Sequence, residues 1–271
     1  MNPLEKVLIR LRHDPRLESA SWLWDALRPA YDRLVRTIAA RHGLTRNING
    51  TDLIRVCPAA RQAPEVHEPD VWPHVMKALR PGDTFVDVGA NIGLYALAAA
   101  NRVGPNGRVI VCEPDPVNLR LLRGNITVSK LSSRVEVIEA AIGASSGRIA
   151  FTTGNGVLSA VASGTSAGNA SVRLATLDEI LPNRRADVLK IDVEGYEEAV
   201  LRGAGGLLGD PARRPRAIFV EVHPFAWGDL GTTTESLLDT LQSRRYRATA
   251  LSGRPVPQIA DYGEIVATPL E

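Results

Sequence analysis

From Thr84 onward, short runs of continuous apolar residues alternate with stretches in which apolar positions recur every three or four residues. Continuous runs are what strands buried on both faces look like, and the recurring spacing marks the helices that cross between them. The predicted strands are 84–88, 108–113, 135–141, 187–193 and 217–223, with helices from 92 onward and over 116–129, 194–208 and 233–243. Two closing strands, 246–251 and 264–268, follow without a helix between them, which puts one antiparallel member near the sheet edge. A shorter strand pair, 148–152 and 171–174, flanks 154–170, a low-complexity stretch of Gly, Ser, Ala, Asn and Thr read as mobile. The fold class is therefore α/β.

Residues 1–43 read as helices. Leu4, Val7, Leu8 and Leu11 share one face, Trp22, Leu23, Ala26 and Leu27 another, and Leu34, Val35 and Ile38 a third. Arginines line the opposite faces, so the arm is either a solvated layer on the core or one able to make peripheral contact with an anionic membrane. Trp22, Trp24 and Tyr31 suit it to roofing a site. Residues 45–66 read as a turn-rich connector without chemistry, with a hairpin at Asn49-Gly50, and 70–79 as a short helix with Asp70 as its N-cap. The expected division is a helical extension and connector over 1–69 and the α/β domain over 70–271.

The stretch TFVDVGANIGLY, Thr84 to Tyr95, is the point of organisation. Phe85, Val86 and Val88 make a buried strand containing one charge, Asp87, and Gly89 and Gly93 bracket the turn into a helix. Gly89 permits a sharp exit, Gly93 is expected to let backbone and ligand approach, and the N–H groups that follow can serve a polar cofactor.

Composition narrows the reading. With 271 residues and 44% hydrophobic content the chain can bury one sizeable core and a small appendage. A net charge of +2 gives no case for nucleic acid as a partner. Cys57 and Cys112 are too few for a disulfide framework or a metal knuckle and read as reduced thiols. No apolar run approaches the ~20 residues that cross a bilayer, and charges at Glu5, Arg10 and Arg12 interrupt any signal peptide, so a cytoplasmic enzyme is expected. Nothing in the chain fixes its oligomeric state.

In a doubly wound sheet, ligands bind beyond the carboxyl ends of the strands. There the sequence places Gly89, Ala90, Asn91 and Gly93, then Glu113, then Glu139, Ala140 and Ala141, then Asp192 and Glu194, and last Glu221 and His223. Glu113 ends the second strand 24 residues after Gly89 (113 minus 89), where a carboxylate can accept from both hydroxyls of a ribose. That leaves a nicotinamide cofactor and S-adenosylmethionine both open. Asn91 stands where a dinucleotide turn carries its second glycine, and the two-strand ending also favours a methyltransferase over a dehydrogenase.

The successive segments FVDVGANIGLYAL, VCEPDPVNLRLLRGN, VEVIEAAIG, TLDEI with DVLKIDVEGYEEAVLRGA, and IFVEVHP resemble the motifs of the FkbM family of S-adenosylmethionine-dependent methyltransferases, in order from about Pro81 to Pro224. The resemblance implies a class I methyltransferase fold, a Rossmann-like seven-stranded, mostly parallel sheet with an antiparallel final strand. It also implies methyl transfer to a hydroxyl of a sugar, glycan or secondary metabolite. By the same resemblance Gly89 to Gly93 hold the methionyl end, with Asp87 and Tyr95 beside them. Glu113 lies at the ribose, Glu139 to Ala141 at the adenine, and Asp192 near the amino group or methyl, with Pro114 and Asn118 also cofactor-binding. Ala141 departs from the wider class, which often has an acid there. The rival readings are an NAD-dependent oxidoreductase and a cofactor-binding protein without methyl transfer.

An alcohol is a poor nucleophile until its proton is being removed. His223 is the expected base, with Asp192, Glu194 and Glu221 around it; together these could also hold a hard cation such as Mg2+, although no metal site is assigned. Lys190, in mid-strand, is expected to pair with a carboxylate such as Asp87.

Overall fold

The computed structural model describes residues 29, 30, 33, 37, 42–153, 160–161 and 169–270. Most of the helices expected over 1–43, with Trp22, Trp24 and Tyr31, and most of the 154–170 stretch lie outside the described residues.

The chain runs β1 (Leu44–Ile48), β2 (Asp52–Val56), α1 (Trp72–Ala78), β3 (Thr84–Val88), α2 (Leu94–Val103), β4 (Arg108–Cys112), α3 (Pro116–Val128) and β5 (Val135–Ile138). It continues through β6 (Ala141–Ile142), β7 (Gly147–Thr152), β8 (Ala160–Val161), β9 (Ala170–Ala175), α4 (Leu177–Ile180) and β10 (Val188–Ile191). Then come α5 (Glu197–Arg202), α6 (Gly205–Gly209), β11 (Ala217–Val222), α7 (Pro224–Leu230), α8 (Thr234–Ser243), β12 (Tyr246–Ala250) and β13 (Gly263–Pro269).

Seven strands form the main sheet in the order β12-β13-β11-β10-β3-β4-β5. The five from β11 to β5 are parallel, and β13 runs antiparallel to both β11 and β12. This is the class I methyltransferase arrangement, with the order reversing between β3 and β10. Side chains alternate across the sheet as the two-residue period requires. Phe85, Val109, Val111 and Phe219 enter a core with α1, α2 and α3, while Val86, Ile110, Leu189 and Val220 enter a second core with α5, α6 and α8. The β1–β2 hairpin turns at Asn49-Gly50, and its Ile48, Ile54 and Val56 join the first core.

Several expectations need correction. Asp70 does not cap α1, whose N-cap is Val71 with no side-chain cap. The strand expected over 135–141 is two strands in different sheets, β5 in the main one and β6 against β9 in a smaller β6-β9-β7-β8 sheet. The helix expected over 194–208 is interrupted between α5 and α6, and α7 was not foreseen. Among the described residues no helix is long and apolar enough to cross a membrane.

Candidate active site

A cavity of about 570 Å³ opens at the carboxyl edge of β3, β4, β10 and β11, within the size range of cofactor sites. Gly89, at φ +86°, lets the chain leave β3 so close to β10 that an added Cβ would lie 1.7 Å from the Asp192 carbonyl oxygen. Gly93, at φ +85°, has a different task from the one expected. A Cβ there would meet Leu122 Cδ1 at 2.4 Å, so it seats α2 against α3, and it does not line the cavity. Four N–H groups of the turn are used within the protein. Those of Gly89 and Ala90 donate to the Cys112 carbonyl at 2.9 and 3.1 Å, and Gly93 donates to Ala90 at 2.8 Å.

The Asn91 N–H donates instead to Glu113 Oε2 at 2.7 Å, while the Asp115 N–H and the Asn118 amide donate to Oε1 at 2.8 and 3.5 Å. Glu113 is thereby fixed at the cavity wall with lone pairs to spare. Burial pushes its pKa up to about 7 even though the backbone donors pull the other way. Asp87 is 2% exposed and its Oδ2 has no hydrogen-bond partner among the described residues; burial raises its pKa to about 7. Ala140, Ala141, Ile142 and Phe151 give the same side an apolar wall.

Lys190 is the centre of the opposite side. It is in register with Asp87 on β3, but its ammonium turns elsewhere: to Asp192 Oδ2 at 3.2 Å, Glu221 Oε2 at 3.5 Å and Glu68 Oε2 at 3.8 Å. It also lies 4.7 Å from the centroid of Tyr95. Burial alone would depress its pKa, and the three carboxylates outweigh burial and hold it well above the usual lysine range. Glu68 accepts from the Tyr95 hydroxyl at 2.6 Å, and Tyr262 donates its hydroxyl to Glu221. Glu264 stands opposite Glu221 in the β11–β13 register with both oxygens buried and without hydrogen bonds among the described residues, and burial raises its pKa to about 9. The segment read as a connector without chemistry supplies a wall residue, Pro64, and His67 and Glu68 follow it there.

His223 ends β11, 2% exposed. Its Nδ1 lies 2.8 Å from Oε1 of Glu197, a wholly buried carboxylate that also accepts from the Gly195 N–H at 2.7 Å and from the Trp227 indole at 2.9 Å. An acceptor so held assigns the imidazole proton to Nδ1 and turns Nε2 toward Glu194 Oε2 at 3.5 Å and Glu221 Oε1 at 3.9 Å. Burial works to lower the His223 pKa, but the hydrogen bond and charge of Glu197, with Glu194 and Asp192, raise it overall. Asp192, Glu194 and His223 present ligand atoms within 4.8 Å of one another, as do Glu68, Asp192 and Glu221.

The fold thus brings Asp87, Gly89, Ala90, Asn91, Tyr95 and Glu113 to one cavity, with Pro114, Asn118, Ala140 and Ala141. Asp192, Glu194, Glu221 and His223 complete it. Glu139 lies outside, in a surface ion pair with Arg123 at 2.8 Å. Glu68, Glu197, Tyr262 and Glu264 escaped the sequence reading. Only Glu197 had a local signal, five residues beyond Asp192 in a turn carrying two other acids.

Residues 87–248 match the family model described as the methyltransferase FkbM domain. The hexuronic acid methyltransferase AglP of Haloferax volcanii is 25% identical over 159 residues, covering 58% of this chain and 62% of AglP. The 31-O-demethyl-FK506 methyltransferase FkbM of Streptomyces tacrolimicus is 43% identical over 58 residues, 21% of this chain and 22% of that protein. Across the curated relatives it matches, the chain spans from 10% to 62% of their length. A crystal structure of methyltransferase FkbM from Methylobacillus flagellatus superposes with a TM-score of 0.47 at 18% identity, over 72% of this chain and 50% of that one.

Proposed function

Because this chain belongs to the FkbM methyltransferase family, we propose that it transfers the methyl group of S-adenosylmethionine to a hydroxyl of a sugar, glycan or secondary metabolite. The observation that carries the reading is the His223 imidazole, tied at Nδ1 to buried Glu197 and open at Nε2 toward the cavity. Bound S-adenosylmethionine supplies an electrophilic methyl on a cationic sulfonium. The residues present fit it. Glu113 can accept from sugar hydroxyls, Asp87, whose Oδ2 has no hydrogen-bond partner among the described residues, suits a positively charged group, and the Ala140 to Ile142 wall suits a flat base.

The chain's own part is to align the acceptor and take its proton. His223 Nε2 is the receiving atom, and the Glu197 carboxylate stabilises the imidazolium so formed. Lys190 fixes Asp192 and Glu221 by ion pairing. The neutral imidazole is the active form and its pKa is raised. Transfer therefore increases as pH rises, with its midpoint above the ordinary histidine value of ~6.5.

One observation favours a second reading: the Asp192, Glu194 and His223 set could ligate Mg2+, in which case Nε2 is a ligand and not the base. Transfer of labelled methyl to a panel of sugar and polyol acceptors separates the two. As base, His223→Ala loses about 100-fold or more in transfer while keeping S-adenosylhomocysteine affinity, and chelators have no effect. Wild-type transfer by His223→Ala removes the base, and abolition by a chelator selects the metal.

A further inference from the structure

The half of the cavity beyond Asp192 is strongly asymmetric in charge. Glu68, Asp192, Glu194 and Glu221 face it, while among the described lining residues there is no arginine and Lys190 is the one lysine. Four carboxyl groups face one ammonium, and burial raises the pKa of Glu194 and pushes that of Glu221 up to about 7, so the negative excess is greatest above neutrality. Glu221 Oε2 lies on a side chain only 9% exposed, with the Lys190 ammonium 3.5 Å away and no hydrogen-bond partner among the described residues. At the same corner stand two aromatic rings that the core does not need. Phe225 is 75% exposed and Tyr262 60%, and their centroids lie 5.7 and 5.4 Å from the ring of His223. Aromatic faces beside carboxylates form the environment that retains an organic ammonium, the rings through their quadrupole and the acids through charge-assisted hydrogen bonds.

We propose that the acceptor is an amino alcohol, with a protonated amine next to the hydroxyl that is methylated, and that Glu194 and Glu221 hold the ammonium between Phe225 and Tyr262. The proposal rests on the methyltransferase reading above. A hydroxyl placed at His223 Nε2 brings its neighbouring substituent within reach of Glu194, 3.5 Å from that nitrogen, and Glu221, at 3.9 Å. The same electrostatics disfavour a uronate, phosphate or sulfate on the acceptor. Each would add negative charge beside carboxyl groups that a single ammonium does not balance, and rejection by unpaired charge is an efficient source of selectivity. This chain would then differ from the archaeal relative, whose name specifies a hexuronic acid.

Saturation-transfer NMR on the full chain loaded with S-adenosylhomocysteine tests this with four probes: methyl 2-amino-2-deoxyglucoside, methyl glucoside, methyl glucuronoside and trans-2-aminocyclohexanol. The amino glucoside is expected to bind about tenfold or more tighter than methyl glucoside, with no saturation of the glucuronoside. Glu194→Gln should erase most of that preference, with S-adenosylhomocysteine titrated in parallel as the control for folding and cofactor binding. Binding of the aminocyclohexanol as tight as the amino glucoside supports recognition of the amine–hydroxyl pair alone, and weaker binding supports an amino sugar. A glucuronoside that binds as well as the amino glucoside, or no dependence on the amine, overturns the proposal while cofactor binding stands. Failure to bind S-adenosylhomocysteine overturns the methyltransferase reading beneath it.

Discussion

At Asp87 stability and function pull in opposite directions. In the proposed function the carboxylate is ionised when it faces a cationic cofactor, yet its Oδ2 is buried without a hydrogen-bond partner among the described residues and burial raises its pKa from 3.8 to about 7. A carboxyl whose folded pKa lies above its unfolded value destabilises the protein as pH rises. The penalty is absent below about pH 4, grows through the interval, and is complete above about pH 7. Asp87→Asn should therefore stabilise the cofactor-free protein at pH 8 by roughly 1–3 kcal/mol in urea unfolding, with little gain at pH 4. S-adenosylhomocysteine affinity should fall at least about tenfold. Equal stability at pH 8 together with unchanged affinity would contradict this account of Asp87. Glu113 could be placed from sequence because a strand end at a fixed distance after a glycine turn is a local signal. Glu68 and Glu264 could not: one comes from an irregular segment, the other from an antiparallel strand whose register against β11 is set by the whole sheet.

Among the elements, the turn between β3 and α2 governs how tightly the two halves of the cavity meet. Gly89→Ala would set a Cβ at φ +86° and 1.7 Å from the Asp192 carbonyl, against backbone and not a flexible side chain. A loss of more than about 2 kcal/mol in urea unfolding is expected, whereas Gly82→Ala, also at positive φ but with open space around the added atom, should lose less. Comparable losses at both would mean that backbone conformation alone, and not the approach of β10, requires Gly89. The helix expected over 194–208 was misread for a similar long-range reason. A Cβ at Gly203 would lie 1.9 Å from the Gly143 carbonyl, and Asp178 caps the next turn by accepting from the Gly206 and Leu207 N–H groups, both at 2.7 Å. Neither contact is visible in local periodicity. The split of 135–141 arises likewise, since Ala141 and Ile142 pair with β9 and not with β4. The parallel strands of the main sheet, in contrast, were legible because apolar residues predominate in each short run between turn residues.

Across the whole molecule, parallel strands deliver their carboxyl ends to one edge, and the reversal of order between β3 and β10 opens a cleft there. One side of the cleft holds Asp87, Glu113 and an apolar wall, and the other holds the ions around Lys190 and the Glu197–His223 pair. In the proposed function the first side seats S-adenosylmethionine with Glu113 on its sugar. Calorimetric titration of S-adenosylhomocysteine into the wild-type chain and into Glu113→Ala and Glu113→Gln tests it most directly, with NAD as the competing ligand. One-to-one binding to wild type is expected, with at least about tenfold weaker binding to Glu113→Ala, an intermediate value for Glu113→Gln, and no heat from NAD. Binding of NAD, or S-adenosylhomocysteine affinity unaltered in folded Glu113→Ala and Glu113→Gln, would contradict it.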